Sequence, residues 1–356
     1  MKILIVEGCR PGWIKLVSVI KELKKQKNIE TVICNTSQHK EMTQEILDLF
    51  KIKSDYNLDI MKRKQSLSYI LTKSISLLDN VIQKEKPDYI IVLGDTSSAL
   101  SGALSGFNNK VPVIHIEGGV RSKDQNSPYP EEMNRRLITQ LTTYHLCECK
   151  NHVDNLKKEG KTGILTGNTG ADAVKLVNPP KKKKNIVLVT MHRRENWGKN
   201  IKEICEAILL LSIIDDENKY IVLCHPNPIV YKPVKRILNK MNNIEIKTAM
   251  RYDKFIKLLA SAKIVISDSG GIGMEAPLLK TPILIIREFY ENTILTKLNL
   301  GKVIGCKDRS DIYGNILKIL FDKKKLKEMT KNKLPDSDGK ACKRIIKFIK
   351  TLEVTR

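Results

Sequence analysis

The sequence predicts an α/β protein made of two doubly wound, Rossmann-like domains facing a cleft. Three observations carry this. The chain has 356 residues, more than one hydrophobic core usually serves. Short β-branched runs alternate with amphipathic stretches at helical spacing, the pattern of a parallel sheet covered by helices on both faces. The alternation breaks at a proline- and lysine-rich segment and then starts again.

In the first half, KILIVEG, ETVICNT, DYIIVLGD, PVIHIEGG and YHLCEC read as strands. GWIKLVSVIKELKKQ, SLSYILTKSISLLDNVIQK, SSALSGALSGF and EEMNRRLITQL read as the helices between them. The break is NPPKKKKN at 178–185, where two prolines stop a helix and four adjacent lysines resist burial. NIVLVTMH, KYIVLCH, NIEIKT, KIVISDSG and PILIIRE then repeat the strand theme, with helical patterns between them. The expected division is a first domain over 1–178, a second over 185–336, and a C-terminal helix over 337–356 packing back on the first.

Composition narrows the function. The eight cysteines are scattered, several inside apolar runs, with no C-x-x-C pair, which favours small buried hydrophobes over a zinc site or a disulfide framework. A net charge of +24 raises nucleic acid and membrane surfaces as partners, yet the lysines are dispersed among glutamates on helical segments, and aromatics are only 5%. The expectation is a solvated charged face, with a general attraction for anionic substrates as the alternative, and neither nucleic acid nor membrane as partner. No apolar stretch approaches a membrane span, and the N-terminus runs directly into a strand pattern, so the expected location is the cytoplasm.

Polar residues and glycines gather where strands end. Glu7-Gly8-Cys9-Arg10, Gly94-Asp95-Thr96, Glu117-Gly118-Gly119, His192-Arg193-Arg194-Glu195, His225-Pro226-Asn227 and Asp268-Ser269-Gly270-Gly271 all fall there. Doubly wound sheets bind ligands at that edge. Ser269-Gly270-Gly271 follows a strand and opens a helix, so backbone N–H groups and the positive helix end suit a phosphate, with Glu275 a turn further on within reach of a ribose diol. Arg10 is a cation for the same anion from the other domain. Asp95, Glu117 and Glu131 bring carboxylates together in the first domain, where crowding should raise at least one pKa into a range useful for proton transfer. Glu132 reads as a helix-start residue, and His115 as a core histidine within its strand.

Seven segments then show a resemblance. GCRPGWIKL at 8–16, GDTSSAL at 94–100, HIEGGVRS at 115–122, SPYPEEMNRRL at 127–137, TMHRRENWG at 190–198, HPNP at 225–228 and SDSGGIGMEAP at 267–277 together resemble the non-hydrolysing UDP-N-acetylglucosamine 2-epimerases over nearly the whole chain. The resemblance implies the glycosyltransferase-B type fold, a homodimer through the first domain and a place in polysaccharide biosynthesis. It also implies reversible conversion of UDP-N-acetylglucosamine into UDP-N-acetylmannosamine, with no cofactor and no metal, and the substrate as an allosteric activator. Residue by residue, it makes Asp95, Glu117 and Glu131 the catalytic carboxylates and puts His225 near the diphosphate. Arg10 and Lys15 become nucleotide-sugar contacts, Ser269, Gly270 and Gly271 the phosphate loop, Glu275 the ribose ligand and Phe255 the residue against uracil. His192 and Arg193 belong to a motif with substrate and regulatory contacts, as do Gln38 and His39.

Two positions depart from the family pattern. The first loop usually reads G-T-R-P-E, and here Gly12 replaces the glutamate; beyond Arg287 an arginine of T-E-R-P-E is replaced near Asn292. A hydrolysing epimerase and a glycosyltransferase of the same fold remain alternatives. Which carboxylate removes the C2 proton and which returns it stays open.

Overall fold

The architecture comes from a computed structural model that describes every residue except 39, 63–64, 123, 192, 249, 289, 291–292 and 354–356, with only the backbone of Lys40. The chain divides into two compact units, residues 1–176 with 335–356, and residues 177–334.

The first unit is built on β1 (Lys2–Glu7), β2 (Glu30–Asn35), β3 (Tyr56–Asn57), β4 (Tyr89–Leu93), β5 (Val113–Ile116), β6 (Tyr144–Cys147) and β7 (Gly163–Leu165). All pairs are parallel, in the order β3-β2-β1-β4-β5-β6-β7. The second unit carries β8 (Ile186–Met191), β9 (Lys219–Cys224), β10 (Ile244–Lys247), β11 (Ile264–Ser267), β12 (Ile283–Ile285) and β13 (Gly301–Val303), also all parallel, in the order β10-β9-β8-β11-β12-β13. Both sheets are doubly wound, as the alternating pattern predicts. In each, the chain steps outward on one side and then returns to the centre, so the switch points lie between β1 and β4 and between β8 and β11. Loops leaving the carboxyl ends of two such strands diverge to opposite faces and open a crevice.

The middles of the central strands are apolar because helices cover both sheet faces. Ile3, Leu4, Ile5 and Val6 of β1 are fully buried, as are Val187, Leu188 and Val189 of β8. Three strands escape the sequence reading: β3, β7 and β13 are two or three residues long, too short for a period of two to show. Seven of the eight cysteines are buried and all are free thiols. No helix among the described residues is long and apolar enough to cross a membrane.

One expectation about the lysine run needs correction. Lys183 is half-buried, and its ammonium donates to the Leu279 carbonyl at 3.3 Å and to Thr281 Oγ1 at 2.5 Å. A long aliphatic stem lets a lysine lie along apolar surface while its head finds oxygen acceptors. Burial lowers its pKa to about 8.

The last helix, Ala341–Ile349, closes on the first unit. Ala341, Cys342, Ile345, Ile346 and Ile349 are its buried face, set against the helices Arg10–Leu23 and Thr169–Leu176. Its start is capped from outside: Asp172, 4% exposed, accepts the N–H of Ala341 at 3.0 Å and of Cys342 at 3.3 Å, and the Cys342 thiol at 2.8 Å. A buried carboxylate on otherwise unpaired N–H groups combines hydrogen bonding with the helix dipole. Asp172→Ala is therefore expected to destabilise the first unit by about 2 kcal/mol. A lowered Tm with faster amide exchange in residues 341–349 is the check, and Asp172→Asn should cost less because it keeps an acceptor.

Candidate active site

The first unit collects its charged groups at the ends of β1, β4, β5 and β6. Lys15 lies in the second turn of the helix Arg10–Leu23, and its ammonium reaches Glu117 Oε2 at 2.6 Å and Glu148 Oε1 at 4.0 Å. Glu117 follows β5 and adopts φ +69°, a left-handed backbone that a side-chain-bearing residue enters at a cost. Its carboxyl is largely buried, which pushes the pKa up, but the attraction and hydrogen bond of Lys15 outweigh that and hold it below the usual glutamate range. Glu117 is thus kept ionised.

Asp95, after β4, is tuned the other way. Arg135, from the helix Glu131–Leu141, donates through Nε to Asp95 Oδ2 at 2.8 Å and brings Nη2 to 2.6 Å. Asn134 Nδ2 donates to the Asp95 carbonyl at 2.8 Å. Burial raises the Asp95 pKa, Arg135 opposes it, and the Glu117 charge adds to the rise. Two carboxylates on neighbouring strands therefore carry opposite shifts, the arrangement expected of acid and base partners.

Glu131 opens the helix that carries Arg135. It is half-buried and its side chain makes no hydrogen bond or ion pair among the described residues; its charge helps raise the Cys9 thiol pKa, an effect led by burial. Glu132 is more than a helix-start residue. It is fully buried, and it accepts from Arg136 at 3.0 Å, from Arg135 at 3.2 Å and from the Ser122 N–H at 3.0 Å, which orients Arg135 toward Asp95. His115 is a core histidine, as expected: buried, with Nε2 2.7 Å from the Gly94 carbonyl, and burial lowers its pKa to about 4.

Two groups in this cluster, Arg135 and Glu148, carry no separate signal in the sequence, and Glu7 stands among the strand-end residues without a role of its own. Arg135 sits inside a recognised segment, and only the fold reveals its partner. Glu148 follows β6, its Oε1 buried without a hydrogen bond, and burial together with the Glu117 charge raises its pKa to about 7 despite Lys15. Glu7, at the end of β1, is fully buried, and Oε1 accepts the N–H groups of Gly8 at 2.8 Å and Cys9 at 2.9 Å. Both glutamates lie in runs that read as strand.

Arg10, the first residue of its helix, is half-buried, and its Nη2 lies 3.6 Å from Glu45 Oε1. Gln38 accepts from Ser98 Oγ at 2.8 Å, and Ser98 Oγ lies 2.7 Å from Thr36 Oγ1. This trio crowds Gly8, where a Cβ would fall 1.8 Å from Thr36 Oγ1, so the turn after β1 admits only glycine. His39 and His192 lie outside the described residues, as does Asn292.

In the second unit the helix Gly270–Leu278 begins after β11, and Ser269 makes no side-chain cap to it. A Cβ on Gly270 would meet Arg193 Nη2 at 3.6 Å and one on Gly271 would meet Ser269 Oγ at 3.9 Å, both ordinary contacts. The two glycines therefore answer no internal clash; they leave a bare approach to a helix N-terminus, which suits an anion. Asp268, fully buried, accepts the Arg193 N–H at 3.0 Å and Asn196 Nδ2 at 3.1 Å, fastening the loop after β8 beside the loop after β11.

His225 follows β9 and is exposed, and its Nδ1 accepts the Asn227 N–H at 3.0 Å. That bond puts the proton of the neutral ring on Nε2, presenting a donor outward. Glu275 is half-buried on the helix Gly270–Leu278, while Phe255, on Tyr252–Ser261, is half-buried against the core. Arg287 is buried and pairs with Glu195 at 2.9 Å.

The family model described as UDP-N-acetylglucosamine 2-epimerase matches residues 21–350. The chain is similar to the UDP-N-acetylglucosamine 2-epimerase of Campylobacter jejuni, 36% identical over 373 aligned positions that cover 98% of this chain and 97% of the relative. Among solved structures, it is similar to UDP-GlcNAc 2-epimerase from Neisseria meningitidis bound to UDP-GlcNAc, with a TM-score of 0.88, 34% identity, and coverage of 99% and 100%. A Listeria monocytogenes structure of a putative enzyme of the same name gives a TM-score of 0.90 at 29% identity, covering 98% and 96%. The fold is accordingly of the glycosyltransferase-B type.

Proposed function

The chain belongs to the UDP-N-acetylglucosamine 2-epimerase family, and we propose that it interconverts UDP-N-acetylglucosamine and UDP-N-acetylmannosamine without hydrolysing the nucleotide. The observation that carries this is the pair of oppositely tuned carboxylates, Glu117 held by Lys15 and Asp95 held by Arg135, at adjacent strand ends.

The chemistry requires such a pair. The C2 hydrogen of the sugar is not next to a carbonyl, so a carboxylate cannot remove it until the C1–O bond to UDP lengthens. That bond breaks with its electron pair passing to the β-phosphate oxygen, a base takes the C2 proton, and a C1=C2 double bond forms. A proton then adds to the opposite face of C2 while the same UDP oxygen re-forms its bond to C1. Atoms and charge balance with no hydride carrier and no water consumed. Asp95, Glu117 and Glu131 are the acid and base candidates on this reading, with Lys15 and Arg135 setting their protonation. Arg10, Arg193, His225 and the Ser269-Gly270-Gly271 helix start would meet the diphosphate as its charge grows, Glu275 the ribose and Phe255 the uracil. Exposed Phe107, Met133 and Leu137, on the mutually packed helices Ser97–Asn108 and Glu131–Leu141, support a homodimer through the first unit.

The test is proton NMR of the purified protein with UDP-N-acetylglucosamine in D2O, with the substrate also raised in concentration to reveal activation. UDP-N-acetylmannosamine with deuterium at C2 is the expected product. Free N-acetylmannosamine would assign the hydrolysing reaction instead, and no exchange at C2 would end the epimerase reading.

A further inference from the structure

We propose that Glu7 is a positioning residue for the turn that carries Arg10, and that Gly12 lacks a side chain because the Glu7 carboxylate occupies its space. The effect on substrate rests on the proposed function; the pairing of the two residues does not. Gly12 lies in the first turn of the helix Arg10–Leu23, where glycine costs about 1 kcal/mol relative to alanine. Its φ is not positive, so backbone freedom does not explain it. Space does: a Cβ there would lie 2.1 Å from Glu7 Oε2 and 2.2 Å from its Cδ.

The carboxylate cannot swing aside. No part of Glu7 is exposed, and Oε1 is held by the N–H groups of Gly8 and Cys9, the two residues that lead into Arg10. A buried carboxyl is costly unless it is well bonded, and here only one oxygen is; Oε2 is buried without a hydrogen bond. Burial raises the Glu7 pKa to about 7, the two N–H groups oppose the rise, and Asp95 and Glu117 face it with like charge from the ends of β4 and β5. The Cys9 thiol, its own pKa raised, lies on the same turn. Glu7 thus fixes the turn between β1 and Arg10 through the Gly8 and Cys9 N–H groups. The loss of the family glutamate at position 12 is explained by a carboxylate arriving from β1 instead.

The test is a double-mutant cycle on the full chain: Glu7→Ala, Gly12→Glu and the two together, with Glu7→Gln as the conservative variant. Melting temperature and calorimetric affinity for UDP-N-acetylglucosamine are read for each. Gly12→Glu alone should lower Tm, because two carboxylates compete for one buried space. Glu7→Ala alone should weaken binding about tenfold, the double variant should recover most of both losses, and Glu7→Gln should bind within about threefold of wild type. Additive Tm changes would overturn the pairing. Coupled Tm changes with affinity unmoved by Glu7→Ala would overturn the positioning role. A wild-type chain that binds the nucleotide sugar and shows no C2 exchange would defeat the epimerase reading while leaving this one standing.

Discussion

Glu117→Gln is expected to lower kcat for C2 epimerisation, and for C2 hydrogen exchange with solvent, by about 10²–10⁴-fold. Glutamine preserves the volume of the side chain and offers Lys15 Nζ, now 2.6 Å from Glu117 Oε2, a neutral acceptor in the same place. What it removes is a group that can take or return a proton. Because Glu117 is held in left-handed backbone, φ +69°, by the turn after β5, the substitution acts on the side chain alone. UDP affinity should change little, since the second unit supplies the helix N-terminus assigned to the diphosphate. Progress curves by proton NMR and UDP binding by calorimetry separate the two effects. A kcat within about threefold of wild type would remove Glu117 from the C2 chemistry and leave it to Asp95 or Glu131.

The contrast between loops and partners explains what the sequence could reveal. Strand ends are legible because β-branched runs stop at glycine, proline and polar residues, and a doubly wound sheet brings those ends to one edge, so Gly8, Asp95, Glu117 and Ser269 were all placed from pattern. Pairings are not legible. Lys15 meets Glu117 across 102 positions, and Asp95 meets Arg135 across 40, distances over which no periodicity carries information. Glu148 is hidden because it continues a strand-like run, and Glu7 is legible as a strand end but not as a partner; both sit one step past or at the last residue of a strand, where the chain turns into the charged cluster. Glu132 looked like a residue favoured by a helix N-terminus, and the fold adds two arginines and a backbone N–H around it. The edge strand β3 is held by two register pairs only, so its identity comes from neighbours rather than from its own residues.

Lys15→Met should be nearly as damaging as loss of Glu117, and its signature is in the pH dependence. Burial pushes the Glu117 pKa up and Lys15 holds it below the ordinary range; without the cation, burial prevails and the pKa rises. The acid limb of kcat/KM assigned to ionised Glu117 should then move to higher pH, so the loss is greatest in acid and partly recovers as pH rises. Stability follows the same sign. The wild-type contribution of a depressed carboxyl is present above the unfolded glutamate pKa and is lost as pH falls through the lower folded value, so Lys15→Met should erase that acid-side dependence of Tm. Lys15→Arg, which keeps the charge, should restore the position of the limb even where its geometry lowers kcat. An acid limb unchanged in Lys15→Met would show that the ammonium does not set the ionisation of Glu117, and the acid and base roles would have to be reassigned to Asp95 with Arg135.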